Sequence, residues 1–311
     1  MAHDRAEAAV ETGAGAQLAG TAGAGATSAG GQGAPAPAGP RTTSFGVASL
    51  RVFDLSLGQM LWSRRTVFLA LVVGAPVALA VLFRVLDAMG LGVMRVGSRT
   101  VSGSTVFGLF IWLLYVRFIV PVLGVFYGTS LIADEVEDRT ITYLFTRPIP
   151  RGAVLAGKYL AYLVATAFVV LPSVMLVYFL MVPASALAAT FPSLVTDLAL
   201  LAIGLAAYGA VFAWIGAQLK YPLLIGLVFA FGWEQAVMLV PGYLRRFTVA
   251  YYLQGLVPHA MPQDSTLSFL QSVLRDVPPT LTCLVALAVI TAGFLFLAAK
   301  TVERREYVLE Q

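Results

Sequence analysis

The sequence predicts an all-α integral membrane protein, and three observations carry that prediction. Of the 311 residues, 59% are hydrophobic and only 12% are charged, with a mean hydropathy of +0.85, well above the usual range for a soluble domain. The apolar residues fall in long runs with almost no charge, each long enough to cross a hydrocarbon core of roughly 30 Å. The lysines and arginines gather at the ends of those runs, where they set topology. The net charge of +4 therefore does not indicate nucleic-acid binding, since the basic residues form no stripe with interleaved aromatics. Cys283 is the single cysteine and cannot form an internal disulfide, and His3 and His259 have no partner at metal-ligand spacing, so no metal site is expected.

Residues 1–44 form the first segment. From Ala6 to Pro40 the chain is mostly Ala, Gly, Pro, Ser and Thr, a composition that buries too little apolar surface to offset its ordering entropy. A disordered tail is expected there. Met1–Val10 contains acids and no compact apolar core, unlike a signal peptide, which places the tail on the cytoplasmic side. Residues 45–311 form the membrane domain. It opens with an interfacial amphipathic helix, because Val47, Leu50, Phe53, Leu57, Met60 and Leu61 recur near helical spacing while Arg51, Asp54 and Gln59 lie off the stripe. About six spans follow by the window rule: Val67–Leu86, Val106–Ile132, Val154–Val182, Leu194–Leu219, Pro222–Val240 and Thr280–Ala299. Only Lys220 and Tyr221 separate the fourth from the fifth, which predicts a tight helical hairpin. Pro76, Pro121 and Pro172 lie inside spans, where proline is tolerable and can kink the helix. The segment from Pro241 to Pro279 mixes apolar residues with turn formers and suits one or two short interfacial helices, or a re-entrant element.

With the N-terminus inside, cytoplasmic segments hold Arg51, Arg64, Arg65, Arg139, Arg147, Arg151, Lys158, Lys220, Lys300, Arg304 and Arg305. The other side holds Arg95, Arg99, Arg245, Arg246 and Arg275, with Arg84 near the boundary. This bias predicts a multi-pass protein of the inner (plasma) membrane with both termini in the cytoplasm. No internal repeat supports a secondary transporter.

The densest charge between two spans lies from Ile132 to Lys158, on the expected cytoplasmic side. Val136, Ile141, Leu144 and Phe145 give a short helix an apolar stripe, and Arg147, Pro148, Ile149, Pro150 and Arg151 follow as a rigid turn. A short stiff helix between two spans suits a lever pushed by a soluble partner. Gly152, Gly157 and Lys158 nearly complete a phosphate-binding loop, but Tyr159 stands where a hydroxyl should hold magnesium, and the run opens a membrane helix. The acids Asp134, Glu135, Glu137 and Asp138 lack a second acidic cluster with which to share a metal and diphosphate, so they read as a solvated, partner-facing surface. Two charges fall within apolar spans, Arg117 and Glu234. Each costs about 2.5–3.5 kcal/mol at a helix centre on insertion scales, so they are expected to pair, to line a pathway, or to reach an interface.

Glu135, Thr140, Leu144, Pro148, Arg151 and Lys158, at these spacings, resemble the coupling-helix region of ABC-2 type transporter permeases. The chain departs from that pattern at Arg139, before Thr140, and at Pro150, before Arg151. The resemblance implies a permease without its own ATPase, paired with a second permease copy or homologue and driven by soluble ATP-binding subunits. It implies that Glu135, Asp138, Arg139, Thr140 and Leu144 contact the ATPase, and that Arg147–Arg151, including Pro148, hold the coupling helix to the third span. No cofactor is expected in this chain; ATP and Mg belong to the partner. Membrane lipids are the other expected partner, and export the expected direction. Two readings from other classes stand beside this one: an intramembrane enzyme acting on a lipid or isoprenoid, and a membrane scaffold without transport.

Overall fold

Helices running between two ends of one bundle make up the computed structural model, which describes residues 45–61, 64–91, 95–96, 99–100, 102–137, 151–239, 243–257 and 278–304. The tail predicted over residues 1–44 and the stretch 138–150 lie outside the described residues. Five described helices are long and apolar enough to cross a membrane: Thr66–Ala88, Gly103–Ala133, Gly152–Met181, Leu187–Gln218 and Thr280–Arg304. They match five of the six expected spans. The remaining expected crossing is a shorter apolar helix, Pro222–Val237, whose apolar run is interrupted by Glu234 and Gln235.

Helix α1 (Phe45–Leu61) leads into the first span, α2 (Arg64–Ala88). Its expected apolar stripe divides. The buried positions are the small Ala48, Ser49 and Ser56, whereas Val47 and Leu50 are exposed. Close approach to the third span is the reason. A Cβ built on Gly157 would lie 2.5 Å from the Ser49 carbonyl oxygen and 2.9 Å from the Val52 Cβ, a separation only glycine permits. Val47 and Leu50 are left facing outward, as on a helix lying against lipid, whereas Phe53, Leu57 and Met60 are half-buried. Beyond α2, Gly90 turns the chain with φ 78°, and two short strands, β1 (Arg95–Val96) and β2 (Arg99–Thr100), pair antiparallel with Arg95 opposite Thr100.

The second span starts at Ser102, whose Oγ accepts from the Thr105 N–H at 3.3 Å. It is not a uniform α-helix. Wider π-helical turns occupy Phe110–Ile119 and Gly124–Gly128, on either side of Val120–Leu123. Pro121 lies in that middle piece, and the looser ladder accommodates a residue that has no N–H to donate. The third span (Arg151–Met181) contains Pro172, and the fourth is Leu187–Gln218. Leu219 is extended at φ −109°, ψ 153°, and the chain reverses over residues 219–221 into Pro222, the tight connection that the sequence predicts.

Spans two, three and four form the core. Gly124 and Gly128, four residues apart, face the fourth span: a Cβ on Gly124 would meet the Tyr208 Cβ at 2.8 Å, and one on Gly128 the Phe212 Cβ at 2.9 Å. Small residues at this spacing let membrane helices approach closely. The core is also rich in tyrosine, and its hydroxyls find partners. Tyr115 pairs with Ser173 at 3.0 Å, Tyr159 donates to the Ala206 carbonyl at 2.7 Å, and Tyr162 donates to the Leu205 carbonyl at 2.9 Å. Gly209 makes the last bond possible, since any Cβ there would collide with the Tyr162 ring. The outer surface is apolar instead: Phe168 is 72% exposed and Leu281 73%. A surface of that kind belongs in lipid, where it costs nothing.

Candidate functional site

A polar cluster inside the apolar bundle is assembled by four separate elements. The second span contributes Trp112 and Arg117, the fourth Tyr208, the helix beginning at Pro222 contributes Glu234 and Gln235, and the segment after it contributes the start of the helix Val249–Gln254. Glu234 is 1% exposed. One of its carboxyl oxygens accepts from the Tyr208 hydroxyl, and the other accepts from the Val249 N–H at 3.1 Å. Burial without partners costs a carboxyl group several kcal/mol on the usual scales, about 2–7 even for a neutral polar group; two other elements supply the donors here. The Val249–Gln254 helix in turn gains an acceptor for an N–H that no earlier turn of the helix can satisfy.

Arg117 enters the same region from the second span. Its Nη2 donates to Gln235 Oε1 at 2.6 Å, and its guanidinium carbon lies 5.3 Å from the centroid of the Trp112 ring. Arg117 and Glu234, the two intramembrane charges singled out in the sequence, thus reach neighbouring positions of one cluster. They are joined through the adjacent Gln235 and Tyr208 rather than by a direct bond: each has its own partner. Arg117 is only half-buried, so the cation is the accessible member and the carboxyl group the enclosed one. The geometry is that of a clamp. Tyr208 and Glu234 tie span four to the short helix, Val249 ties in the segment beyond it, and Leu253 of that segment lies, like Val120, close against Gly204.

The sequence reading did not include Tyr208, Gln235 or Val249 in this site. It also passed over Asp197, which is fully buried in the fourth span. The signal available was a polar side chain within an apolar run, which marks Asp197 and Tyr208; a backbone donor such as Val249 leaves no such mark. Among the described residues no three of His, Cys, Asp and Glu gather into a group able to hold a metal ion.

Two of the expected docking residues lie where the second span ends and the third begins. Glu135 belongs to the helix Ser130–Glu137, and Arg151 begins the third span; their side chains lie outside what the structure describes. Asp138, Arg139, Thr140, Leu144 and Pro148 lie outside the described residues altogether. What is described is the base from which the 138–150 segment leaves and returns. Lys158 Nζ donates to the Leu131 carbonyl at 3.1 Å, fastening the third span to the end of the second. Gly152, Gly157 and Lys158 all lie within the helix Arg151–Met181. The near-match to a phosphate loop is therefore helical, and its glycine at 157 serves the close contact with α1.

The family model described as ABC-2 family transporter protein matches residues 36–307. No curated protein matches the chain.

Proposed function

Because the chain belongs to the ABC-2 transporter family, and is thus a membrane permease component of an ABC transporter, we propose that it is the membrane subunit of an exporter powered by a separately encoded ATPase. The family match across residues 36–307 carries this reading. The ATPase docks on residues 133–151 through Glu135, Asp138, Arg139, Thr140 and Leu144. Pro148 and Arg151 hold that coupling helix to the third span. ATP and Mg are bound by the partner, and a second permease copy or homologue completes the pathway. Both termini lie in the cytoplasm and the protein resides in the inner membrane.

The base of the 138–150 segment supports the lever. The Lys158 bond to Leu131 and the Gly157 contact with Ser49 join α1 and the ends of the second and third spans. A push on the intervening helix thus acts on all three, because packed helices transmit strain rather than absorb it. The Arg117 and Glu234 cluster lies farther along the second span and holds three further elements together. It supports a bundle that responds as a unit. The test is co-purification with the soluble ATPase subunit expressed together with this chain. Glu135→Arg combined with Asp138→Arg should leave membrane insertion intact and lower ATPase recovery. Unchanged recovery refutes the docking face.

A further inference from the structure

A groove of about 780 Å³ opens where α1, the third span and the last span meet. Its size falls within the range of small-molecule sites. One wall is apolar and reachable from outside: Phe45 is 54% exposed, Leu160 45% and Phe296 66%. Tyr159 closes the back, its ring held by the hydroxyl bond to the Ala206 carbonyl at 2.7 Å. The rim is charged. Lys300 and Arg304, four residues apart, lie on one face of the last span, with Lys300 Nζ 5.7 Å from the Phe296 ring centroid. Glu303 leans towards the third span, its Oε1 3.6 Å from where a Cβ on Gly152 would lie. The rim therefore has two cations to one acid.

This layout coincides with a change in the sequence. Phe294–Ala299 is wholly apolar, and the next five residues bring Lys300, Glu303 and Arg304. The groove thus runs from the hydrocarbon-facing surface to the level at which charge begins, which is the level of lipid headgroups. A ligand with a long apolar body and an anionic end fits both parts. We propose that the groove binds one anionic phospholipid of the surrounding bilayer, its acyl chain along Leu160 and Phe296 and its phosphate between Lys300 and Arg304. The lipid braces α1 against the last span, two elements that flank the lever base. The proposal needs the bilayer but not the ATPase, so it and the docking reading fail separately.

Native mass spectrometry of the full-length chain, exchanged into detergent with equimolar phosphatidylglycerol, phosphatidylethanolamine and phosphatidylcholine, tests it. Phosphatidylglycerol adducts should dominate. Lys300→Gln and Arg304→Gln should each reduce them about fivefold, as expected for one cation beside an anionic headgroup. Ala156→Phe, which fills the groove and leaves both cations in place, should abolish them while the thermal unfolding midpoint shows that the variant folds. Equal retention of the three lipids, a preference for phosphatidylethanolamine, or adducts unaffected by Ala156→Phe each overturns the assignment. So does an Ala299→Cys variant that a thiol reagent cannot reach in lipid-free detergent, since another part of the chain or a second copy would then occupy the groove.

Discussion

Removing the Tyr208 hydroxyl tests the clamp most directly. Tyr208→Phe leaves the ring in the bundle and takes away one of the donors that Glu234 uses, while Val249 keeps its bond. Stranding a buried polar partner costs about 1–3 kcal/mol in soluble proteins. Inside membranes the measured values are smaller, about 0.6 on average and at most about 1.7 kcal/mol, because the unfolded helices also find partners. Tyr208→Phe should therefore cost about 0.6–1.7 kcal/mol. Glu234→Ala removes the acceptor of both Tyr208 and Val249 and leaves a void, so it should cost about 2–4 kcal/mol. The double variant should cost less than the sum by about 1 kcal/mol, since the Tyr208–Glu234 bond can be lost only once. The assay is reversible unfolding of the purified chain in mixed micelles titrated with denaturing detergent, followed by circular dichroism. Losses that add within about 0.5 kcal/mol would show that the two side chains do not interact, and the clamp would have to be abandoned.

Exchanging Arg117 and Glu234 should not rescue either single neutralisation, because an arginine at 234 would meet the Tyr208 hydroxyl and the Val249 N–H, both donors to the present carboxyl group; folded yield in detergent reads this. Gly209→Val should destabilise by about 1–3 kcal/mol through overpacking, as the new side chain meets the Tyr162 ring. Gly293→Ala, with open space around its Cβ, should instead be neutral or stabilise by about 0.5–1 kcal/mol; paired thermal unfolding midpoints separate the two. Lys158→Met should remove the bond to the Leu131 carbonyl, lower stability by about 1 kcal/mol, and speed trypsin cleavage after Arg139; an unchanged digestion rate would show that the bond does not secure the base of that segment.

Membrane spans are local properties of a chain. Twenty apolar residues in a row read the same whatever they pack against, so the five long helices, the hairpin at residues 219–221 and the all-α class could be taken from the sequence. The family resemblance was also local, carried by Glu135, Thr140, Leu144, Pro148, Arg151 and Lys158. The stripe of large apolar residues marked α1 as an interfacial amphipathic helix, but did not show which of its faces packs against the third span. The packed face is the small one, because Gly157 brings the backbones together, and in lipid a large apolar side chain has no general reason to turn inward.

The sequence by itself determined that the chain crosses a membrane, roughly where it does so, and that Arg117 and Glu234 required company there. It did not determine which company. Tyr208 lies 26 residues before Glu234 and Val249 lies 15 after it, on three elements whose rotation about their own axes depends on every other contact in the bundle. Only the tertiary structure turned those faces towards one another. The same holds for the groove beneath Phe45, whose walls come from residues 45, 152–160 and 295–304. Span position follows from a transfer free energy summed along the chain, whereas a site follows from directions, and directions are fixed only when the helices pack.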